Sequence, residues 1–333
     1  MKDIKPSDIS VILQGPVNNL TPGALKSVRR FLPGAEIILS TWKGSAVNGL
    51  DYDKLILSCD PYLDSQKQYP TNLNRMLVSS LAGVRAVKRK YTLKMRTDFE
   101  ITGCNFIKLF CNSPAVGNEM KLFIERVVCF AWKPQPGRLL QVGDFFFFGL
   151  TEDITSLFEI PLSTDGEFFY LKNNTPSNAH LLSENPNRFH PEQHIWINFL
   201  RKSGVDASLR DYTDYNEEMK VLTEKSFINN LVFSSFYEFS ISTRKRNLLR
   251  YNFPIQKRCY KFSDWVFLYR KYIDKGYIPI YVPPFPSKPK FITVKIVSAL
   301  GRFLAIFMPV KKYRRKIRFL VDKSAIYIFY GTI

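Results

Sequence analysis

The chain has 333 residues, of which 45% are hydrophobic and 23% are charged, and this composition excludes extended disorder over most of its length. The formal net charge of +19 is concentrated at one end, because residues 244–333 hold 21 basic side chains and only three acidic ones. A segment so basic is expected to contact phosphates, either of nucleic acid or of anionic lipids. We therefore predict two parts, a folded domain over residues 1–243 and a basic, aromatic extension over residues 244–333.

Neither the cysteines nor the apolar segments indicate export or membrane spanning. The five cysteines include no CxxC pair and none of the close Cys/His spacings of a zinc site, which predicts reduced thiols in the cytosol. The first apolar run, residues 11–13, is too short for a signal peptide. The longest apolar stretch, residues 291–309, contains Lys295 and Arg302, each of which would cost about 2.5 to 3.5 kcal/mol near the centre of a bilayer. We expect this stretch not to span a membrane.

The first hundred residues alternate between predicted strands and predicted helices. Short apolar runs predict strands, and apolar residues at three- and four-residue spacing, or a Thr-Pro start, predict helices. In chain order, the predicted elements are a strand over 9–13, a helix over 21–31, strands over 36–40 and 54–58, a helix over 72–90 and a strand over 91–101. This order predicts an α/β fold with a mostly parallel sheet flanked by helices, which binds ligands at the carboxyl ends of its strands.

The middle of the chain is less regular. Residues 123–131 and 141–149 have the composition of strands, and residues 191–203 that of a helix. The second of these strands contains four consecutive phenylalanines at 145–148. A strand that is buried on both faces has this pattern, so we interpret the four rings as core.

The strand predicted over 91–101 carries four charges on one face. Because side chains alternate along a strand, one face holds Lys94, Arg96, Asp98 and Glu100. Asp98 and Glu100 lie near the end of the strand, two residues apart, and their carboxylates could hold a divalent cation that binds the diphosphate of a nucleotide sugar. The alternative is an edge strand whose charged face is solvated.

Several short motifs occur in an order that resembles the WavE-type lipopolysaccharide synthesis family. They are Val-Ile-Leu-Gln-Gly-Pro at 11–16, Glu-Ile-Ile-Leu-Ser-Thr-Trp at 36–42, Gly-Leu-Asp-Tyr-Asp at 49–53, Asn-Leu-Asn-Arg at 72–75, Lys-Met-Arg-Thr-Asp at 94–98, Val-Gly-Asp-Phe-Phe-Phe-Phe-Gly at 142–149 and Pro-Glu-Gln-His-Ile-Trp at 191–196. The resemblance implies a bacterial glycosyltransferase with the Rossmann-related GT-A fold, acting on lipopolysaccharide or surface polysaccharide. Residues 1–243 would then be its nucleotide-sugar-binding catalytic domain.

The resemblance also implies a donor site. The loop of Gln14, Gly15 and Pro16, together with Asp60, would lie against the nucleotide. Asp98 and Glu100 would replace the commoner Asp-x-Asp pair and hold Mn²⁺ or Mg²⁺, although the longer Glu100 could instead reach the metal through water or bind a ribose hydroxyl. Arg75 and Arg96 would contact phosphate, and the alternative for both is a solvated or structural charge.

A second candidate segment surrounds Glu192. His190 and His194 have the four-residue spacing of a zinc motif, but the glutamate is displaced and Pro191 makes His190 a cap, so we reject zinc. Inverting sugar transfer needs a carboxylate to take the proton of the acceptor hydroxyl, and Glu192 at a helix start could do so. The alternative is that Glu192 only stabilises the positive end of the helix.

Two further assignments near this segment stay open. The competing catalytic carboxylates are Asp144, Asp165 and Glu167. His194 could complete the metal site or could simply be a packed or capping histidine.

The basic extension includes an amphipathic segment, 291–318. Its first part has the apolar face and cationic stripe of a helix that lies in a membrane interface, and six Lys and Arg residues follow between 311 and 318. We expect peripheral binding to an anionic membrane, on the cytoplasmic face of the inner membrane, where a lipid-linked saccharide acceptor would be presented. The alternative is a helix packed on the catalytic domain.

Three other functions compete with sugar transfer. A sugar nucleotidyltransferase also holds a diphosphate, but it normally has a Gly-rich basic loop after its first strand, which Gln14-Gly15-Pro16-Val17 lacks. A nucleic-acid-binding protein would explain the charge, but the extension is interleaved with long aliphatic runs, so we expect no nucleic-acid partner. A non-enzymatic protein of polysaccharide assembly is the third.

Overall fold

The computed structural model describes residues 3–61, 71–116, 119–181, 186–245, 248–252 and 257–284, together with separate helical positions between 292 and 321. The described strands are β1 (Ile9–Gln14), β2 (Glu36–Trp42), β3 (Lys54–Ser58), β4 (Tyr91–Arg96), β5 (Phe99–Ile101), β6 (Val127–Ala131), β7 (Val142–Leu150), β8 (Leu231–Phe233) and β9 (Ile241–Thr243). The described α-helices are α1 (Thr21–Phe31), α2 (Leu73–Arg85), α3 (Asn105–Cys111), α4 (Thr151–Phe158), α5 (Asp165–Phe168), α6 (Tyr170–Asn173), α7 (Pro191–Lys202), α8 (Glu217–Asn230), α9 (Phe236–Phe239) and α10 (Phe262–Tyr272).

Seven of these strands form one twisted sheet in the order β3-β2-β1-β4-β7-β6-β8. Neighbouring strands pair in parallel, except that β7 is antiparallel to both β4 and β6. Helices pack against this sheet, and β5 and β9 form a separate antiparallel pair. The α/β fold with a mostly parallel sheet is thus confirmed.

The predicted strand over 91–101 is wrong in one respect that matters for the site. The sheet strand β4 ends at Arg96, Thr97 and Asp98 form a turn, and the chain enters β5 in the small sheet. The turn is held by residues of the loop after β1, because the Thr97 backbone N–H donates to the Gln14 carbonyl (3.0 Å) and its hydroxyl donates to the Pro16 carbonyl (2.8 Å). Asp98 and Glu100 therefore do not lie side by side on one strand.

Two other element boundaries differ from the predictions. The helix predicted over 72–90 ends at Arg85, because the N–H of Ala86 bonds the Gly83 carbonyl at 3.1 Å and tightens the last turn. The strand predicted from residue 123 begins at Val127, because the preceding backbone N–H groups bond to side chains: those of Leu122 and Phe123 to Asn230, and those of Ile124 and Glu125 to Asp153.

The core lies on both faces of β7. The four phenylalanines of β7 are at most 5% exposed, which confirms that they are core: Phe145, Phe146, Phe147 and Phe148. Alternate rings meet different elements, since Phe146 stacks on Phe239 of α9 and Phe147 makes an edge contact with Phe158 of α4. The core also includes Trp265 of α10 and Tyr260, so the first part of the segment 244–333 packs into the same core as the preceding residues.

Candidate functional site

A cavity of about 340 Å³ opens at the carboxyl ends of β1, β2 and β4, where a parallel sheet normally binds its ligand. Residues predicted from the sequence to bind nucleotide or metal line it: Gln14, Gly15, Pro16, Asp60, Arg75, Arg96 and Asp98. The other lining residues are Trp42, Asn72, Met76, Thr97, Asp144 and Lys245. Asp144 reaches this edge because β7 runs antiparallel to β4, and the register that pairs Met95 with Phe146 brings Asp144 beside the end of β4.

The loop after β1 is held in a fixed position at one wall of the cavity. The Gly15 N–H donates to the Ser40 carbonyl at the end of β2 (3.1 Å), and Thr97 bonds the Pro16 carbonyl from the other side. Gly15 has a φ of +122°, a conformation that side chains other than hydrogen rarely allow. Glycine at this position thus allows the loop conformation that the contacts with Ser40 and Thr97 hold, and a Cβ here would lie 3.4 Å from Thr97 Oγ1.

Two buried oxygen atoms at the cavity have no hydrogen-bond partner among the described residues. They are Oε1 of Gln14 and Oδ1 of Asp144. The amide nitrogen of Gln14 donates to Ser79 Oγ (2.7 Å), which fixes the side chain so that Oε1 is the end left over. A buried acceptor without a donor is costly, so the hydrogen-bonding capacity of both atoms is not satisfied by the described residues.

A paired arginine and aspartate lie at the end of the cavity nearest β2. Arg75, in the first turn of α2, forms a bidentate pair with Asp60: its Nε donates to Oδ1 at 2.8 Å and its Nη2 donates to Oδ2 at 2.7 Å. The pair is partly exposed, and Trp42 at the end of β2 lines the same cavity. A planar ring beside hydrogen-bonding groups of both charges is a suitable surface for a nucleoside.

At the other end of the cavity, two cations and two carboxylates form a cluster. Arg96 donates from Nε and Nη2 to the two oxygens of Asp98 (2.9 and 2.8 Å), and its Nη1 lies 3.5 Å from Asp144 Oδ2. Lys245 Nζ donates to Asp98 Oδ2 at 2.8 Å. Burial alone would raise the pKa of Asp98, but Arg96 and Lys245 hold it below the usual range. Asp98 is therefore an anion that is bound by two cations.

A buried lysine, Lys94, contacts the backbone of one member of this cluster. Lys94 of β4 has no exposed surface, and its Nζ donates to the backbone carbonyl of Asp144 at 2.5 Å. The ammonium lies beside the rings of Phe147 and Phe158, 5.8 and 5.4 Å from their centroids. Burial lowers the pKa of Lys94 to about 7, while Asp144 opposes the shift. Lys94 fixes the backbone of β7 at the point where Asp144 enters the site.

Glu192 is close enough to the cluster to interact with it electrostatically, although it does not line the cavity. It is the second residue of α7. Burial raises the pKa of Glu192 to about 7, the negative charge of Asp144 adds to the shift, and Gln141 and Arg138 oppose it. The charge of Glu192 in turn raises the pKa of Arg96. A carboxyl with this pKa can give or accept a proton near neutral pH.

The predicted metal ligands are not brought together. Glu100 lies on β5 against the start of α1, where a Cβ on Gly23 would lie 2.8 Å from its Oε1, and this oxygen is 3.2 Å from Nε of Arg244. His194 is buried in α7, with Nε2 3.0 Å from the Pro161 carbonyl oxygen. Within the described ranges, no three His, Cys, Asp or Glu side chains are grouped so that they could hold a metal ion.

The structure does not bring Asp98, Glu100 and His194 together around one point, because the turn at Thr97 directs the first two residues to different places. The two oxygens of Asp98 are already bound by the cations of Arg96 and Lys245. As they are placed, these residues do not fit a divalent ion.

The competing carboxylates have different surroundings. Asp144 lines the cavity, whereas Asp165 is exposed in α5 and Glu167 accepts a hydrogen bond from Ser163 (3.1 Å) and lies 3.9 Å from Nδ1 of His194. Lys245 also lines the cavity but was not predicted from the sequence, because no motif surrounds it and it lies far along the chain from the other residues of the site.

The fold and the cavity define an α/β protein with a Rossmann-like, mostly parallel sheet and a charged ligand site at the carboxyl ends of its parallel strands. Residues 9–298 match the family model described as WavE lipopolysaccharide synthesis, so the chain belongs to the WavE family, as the motifs suggested. The protein accordingly has a part in lipopolysaccharide synthesis. A search of curated proteins found no match. In the part of the chain that the structure describes, no helix is both long enough and apolar enough to cross a membrane.

Proposed function

We propose that this protein is a glycosyltransferase that moves a sugar from a nucleoside-diphosphate donor to a growing lipopolysaccharide or surface-polysaccharide acceptor. The observation that carries the proposal is the cavity at the carboxyl ends of the strands, in which cations and unpartnered oxygen acceptors occur together in a member of a lipopolysaccharide family. Its volume of about 340 Å³ lies at the lower end of the range for small-molecule sites, roughly 300 to 1,000 Å³.

The two ends of the cavity suit the two ends of a nucleotide sugar. Trp42, Asp60 and Arg75 offer a ring, an acceptor and donors to the nucleoside. The other end holds Asp144, and Gln14 at the end of β1 lines the cavity as well; each has an oxygen that is not hydrogen-bonded among the described residues and suits a sugar hydroxyl. The cations of Arg96 and Lys245, which lie beside Asp98 at the Asp144 end, are suited to the diphosphate.

Glu192 is the proposed general base. In the transfer step, the bond between the anomeric carbon and the diphosphate oxygen breaks, and its electron pair leaves with the nucleoside diphosphate. The acceptor oxygen forms the new bond, and its proton passes by way of Asp144, which lines the cavity, to the Glu192 carboxylate. Asp144 can position the acceptor hydroxyl, because its side chain lines the cavity and one of its carboxylate oxygens has no hydrogen-bond partner among the described residues.

A donor screen tests the proposal. Purified protein is incubated with each common nucleotide sugar, with and without a lipopolysaccharide core acceptor, and the release of nucleoside diphosphate is measured. We expect release with one donor, stimulated by the acceptor. Release of pyrophosphate from a nucleoside triphosphate and a sugar phosphate would instead show a nucleotidyltransferase. Failure of every donor would refute the proposal.

We also propose that the segment 291–318 binds the membrane that presents the acceptor. Many residues of this segment lie outside the described ones, but its first part has apolar side chains at helical positions that are more than half exposed: Ile292, Ile296, Leu300, Phe303 and Ile306. Their spacing of three and four residues places them on one helix face. An exposed apolar face followed by a cationic run is typical of a helix that lies in an anionic membrane surface.

Liposome flotation tests the membrane proposal. We expect full-length protein to float with anionic liposomes, less so at high salt, and a chain that ends at Pro289 to stay in solution. Equal flotation of the two chains would refute the proposal. Preferential capture by RNA at physiological salt would favour nucleic-acid binding instead.

A further inference from the structure

The carboxylate expected to hold a metal is already bound to two side-chain cations. Arg96 occupies both oxygens of Asp98, and Lys245 adds a third hydrogen bond at 2.8 Å. The Asp98 side chain is only 6% exposed. A divalent ion at this carboxylate would have to displace at least one cation and would be repelled by the other, because like charges in a poorly solvated site interact strongly.

Lys245 is placed beside Asp98 by the backbone. Thr243, the last residue of β9, donates from its hydroxyl to the Asp98 carbonyl at 2.7 Å. The same hydroxyl oxygen accepts the N–H of Lys245 at 3.1 Å. Pairing of Thr243 with Phe99 in the β5–β9 sheet ties the two segments together. The approach of Lys245 to Asp98 is therefore a property of the fold and not only of a long side chain.

The ammonium of Lys245 has donors left for a ligand. An ammonium offers three N–H groups, and Asp98 accepts one of them. The side chain lines the cavity and is 37% exposed, so it can reach a bound molecule. Arg96, in contrast, is directed to Asp98 on one side and Asp144 on the other. Lys245 is thus the cation that can turn toward a phosphate, while Arg96 holds Asp98 in position.

We propose that Lys245, oriented by Asp98, binds the diphosphate of the donor and stabilises the leaving nucleoside diphosphate, so that transfer proceeds without a divalent metal. The inference rests on the proposed glycosyltransferase function. When the bond to the anomeric carbon breaks, the diphosphate oxygen gains the electron pair, and the ammonium compensates the negative charge that develops there. Asp98 acts as a positioning residue, because it touches Lys245 and not the donor.

The test compares Lys245→Gln with a matched control, Lys271→Gln. Lys271 in α10 pairs with Glu224 at 2.8 Å and is 46% exposed, so it resembles Lys245 in geometry but lies outside the cavity. Donor turnover is measured in EDTA and in Mn²⁺. Binding of the nucleoside diphosphate and of the bare nucleoside is measured by calorimetry in EDTA.

We expect equal parental turnover in EDTA and in Mn²⁺. Lys245→Gln should lower kcat about 10²-fold, as loss of one transition-state donor does in other enzymes. It should weaken nucleoside diphosphate binding about tenfold or more, which is the effect of losing one charge-assisted hydrogen bond, and leave nucleoside binding unchanged. Lys245→Arg should restore part of both losses because it keeps the cation, and Lys271→Gln should match the parent.

The outcomes separate this inference from the proposed function. Turnover that stops in EDTA and returns with Mn²⁺ would overturn the inference and leave the glycosyltransferase proposal intact. Equal turnover by the Lys245→Gln and Lys271→Gln variants would also overturn the inference and leave the glycosyltransferase proposal intact. If no donor is turned over in either buffer, the glycosyltransferase proposal fails, and the inference fails with it.

Discussion

Replacing Glu192 by Gln should abolish sugar transfer and yet stabilise the folded protein at neutral and alkaline pH. Both effects have one cause, the placement of a carboxyl group near Asp144 in a poorly solvated position. The charged form is needed for the reaction but is disfavoured by its surroundings. Gln has nearly the same shape and can keep the hydrogen bond to Gln141, so the substitution removes the charge and little else.

The pKa sets the size and the pH range of the stability effect. Burial and Asp144 raise the pKa of Glu192 from 4.5 to about 7, so the native state binds this proton more tightly than the unfolded chain does. The contribution of Glu192 to the stability of the folded state is complete below pH 4.5, and it is lost as the pH rises through about 7 and the carboxyl loses its proton. At pH 8, the Glu192→Gln substitution should raise the free energy of unfolding by at most about 3 kcal/mol, because each pKa unit corresponds to about 1.36 kcal/mol. At pH 4 it should change little.

Glu218→Gln is the matched control, because Glu218 is also the second residue of a helix, α8, but is exposed. Urea unfolding of the three proteins at pH 4 and pH 8 measures the stability difference. Donor turnover from pH 5 to 9 should rise through about pH 7 in the parent and fall by roughly 10²- to 10⁴-fold in Glu192→Gln. Equal stability of Glu192→Gln and the parent at both pH values would refute the charge argument. Equal turnover would refute the role as base.

The remaining predictions concern the site and the packing beneath it. Asp98→Asn should lower turnover by about 10²-fold or more while the circular dichroism spectrum is retained, and parental turnover would show that the site is misassigned. Gly83→Ala should lower the unfolding midpoint although alanine favours helices, because its Cβ would lie 2.6 Å from Ile12 Cγ2; Gly166→Ala, which meets nothing nearer than 3.8 Å, should be tolerated. Phe147→Ala should cost about 3 to 5 kcal/mol in urea unfolding, since the ring is fully buried, and a cost below 1 kcal/mol would contradict its place in the core.

How well the sequence predicts this structure depends on how far apart the interacting residues are. The strands at 9–13, 36–40 and 54–58 and the helix at 21–31 were predicted within two residues, because apolar runs and a Thr-Pro helix start are local signals. The turn at Thr97 was missed because it depends on carbonyls of residues 14 and 16, more than eighty positions earlier. The alternation of side chains along residues 91–101 gives no information about such long-range hydrogen bonds.

The same distinction explains the site. Gln14 and Asp60 were placed at the nucleotide by the family resemblance, and the structure has both at the carboxyl ends of parallel strands, which meet at the same edge of the sheet. Lys245 reaches that edge only because β9 pairs with β5, a contact between segments about 140 residues apart. No local sequence pattern predicts the pairing of two strands so far apart in the chain. The position of Lys245 next to Asp98 is therefore visible only in the folded structure.

The reversed direction of β7 determines what chemistry this edge can support. In a wholly parallel sheet, the strand beside β4 would bring its carboxyl end, Gly149 and Leu150, to the cavity. Because β7 runs the other way, its amino end arrives there and supplies Asp144. The buried Lys94 donates a hydrogen bond to the backbone carbonyl of Asp144, and Glu192 of α7 interacts electrostatically with the Asp144 carboxylate. In the proposed mechanism, the parallel strands provide the surface for the nucleotide, and β7, the one reversed strand of the seven-stranded sheet, provides the carboxylate beside which a proton is taken up.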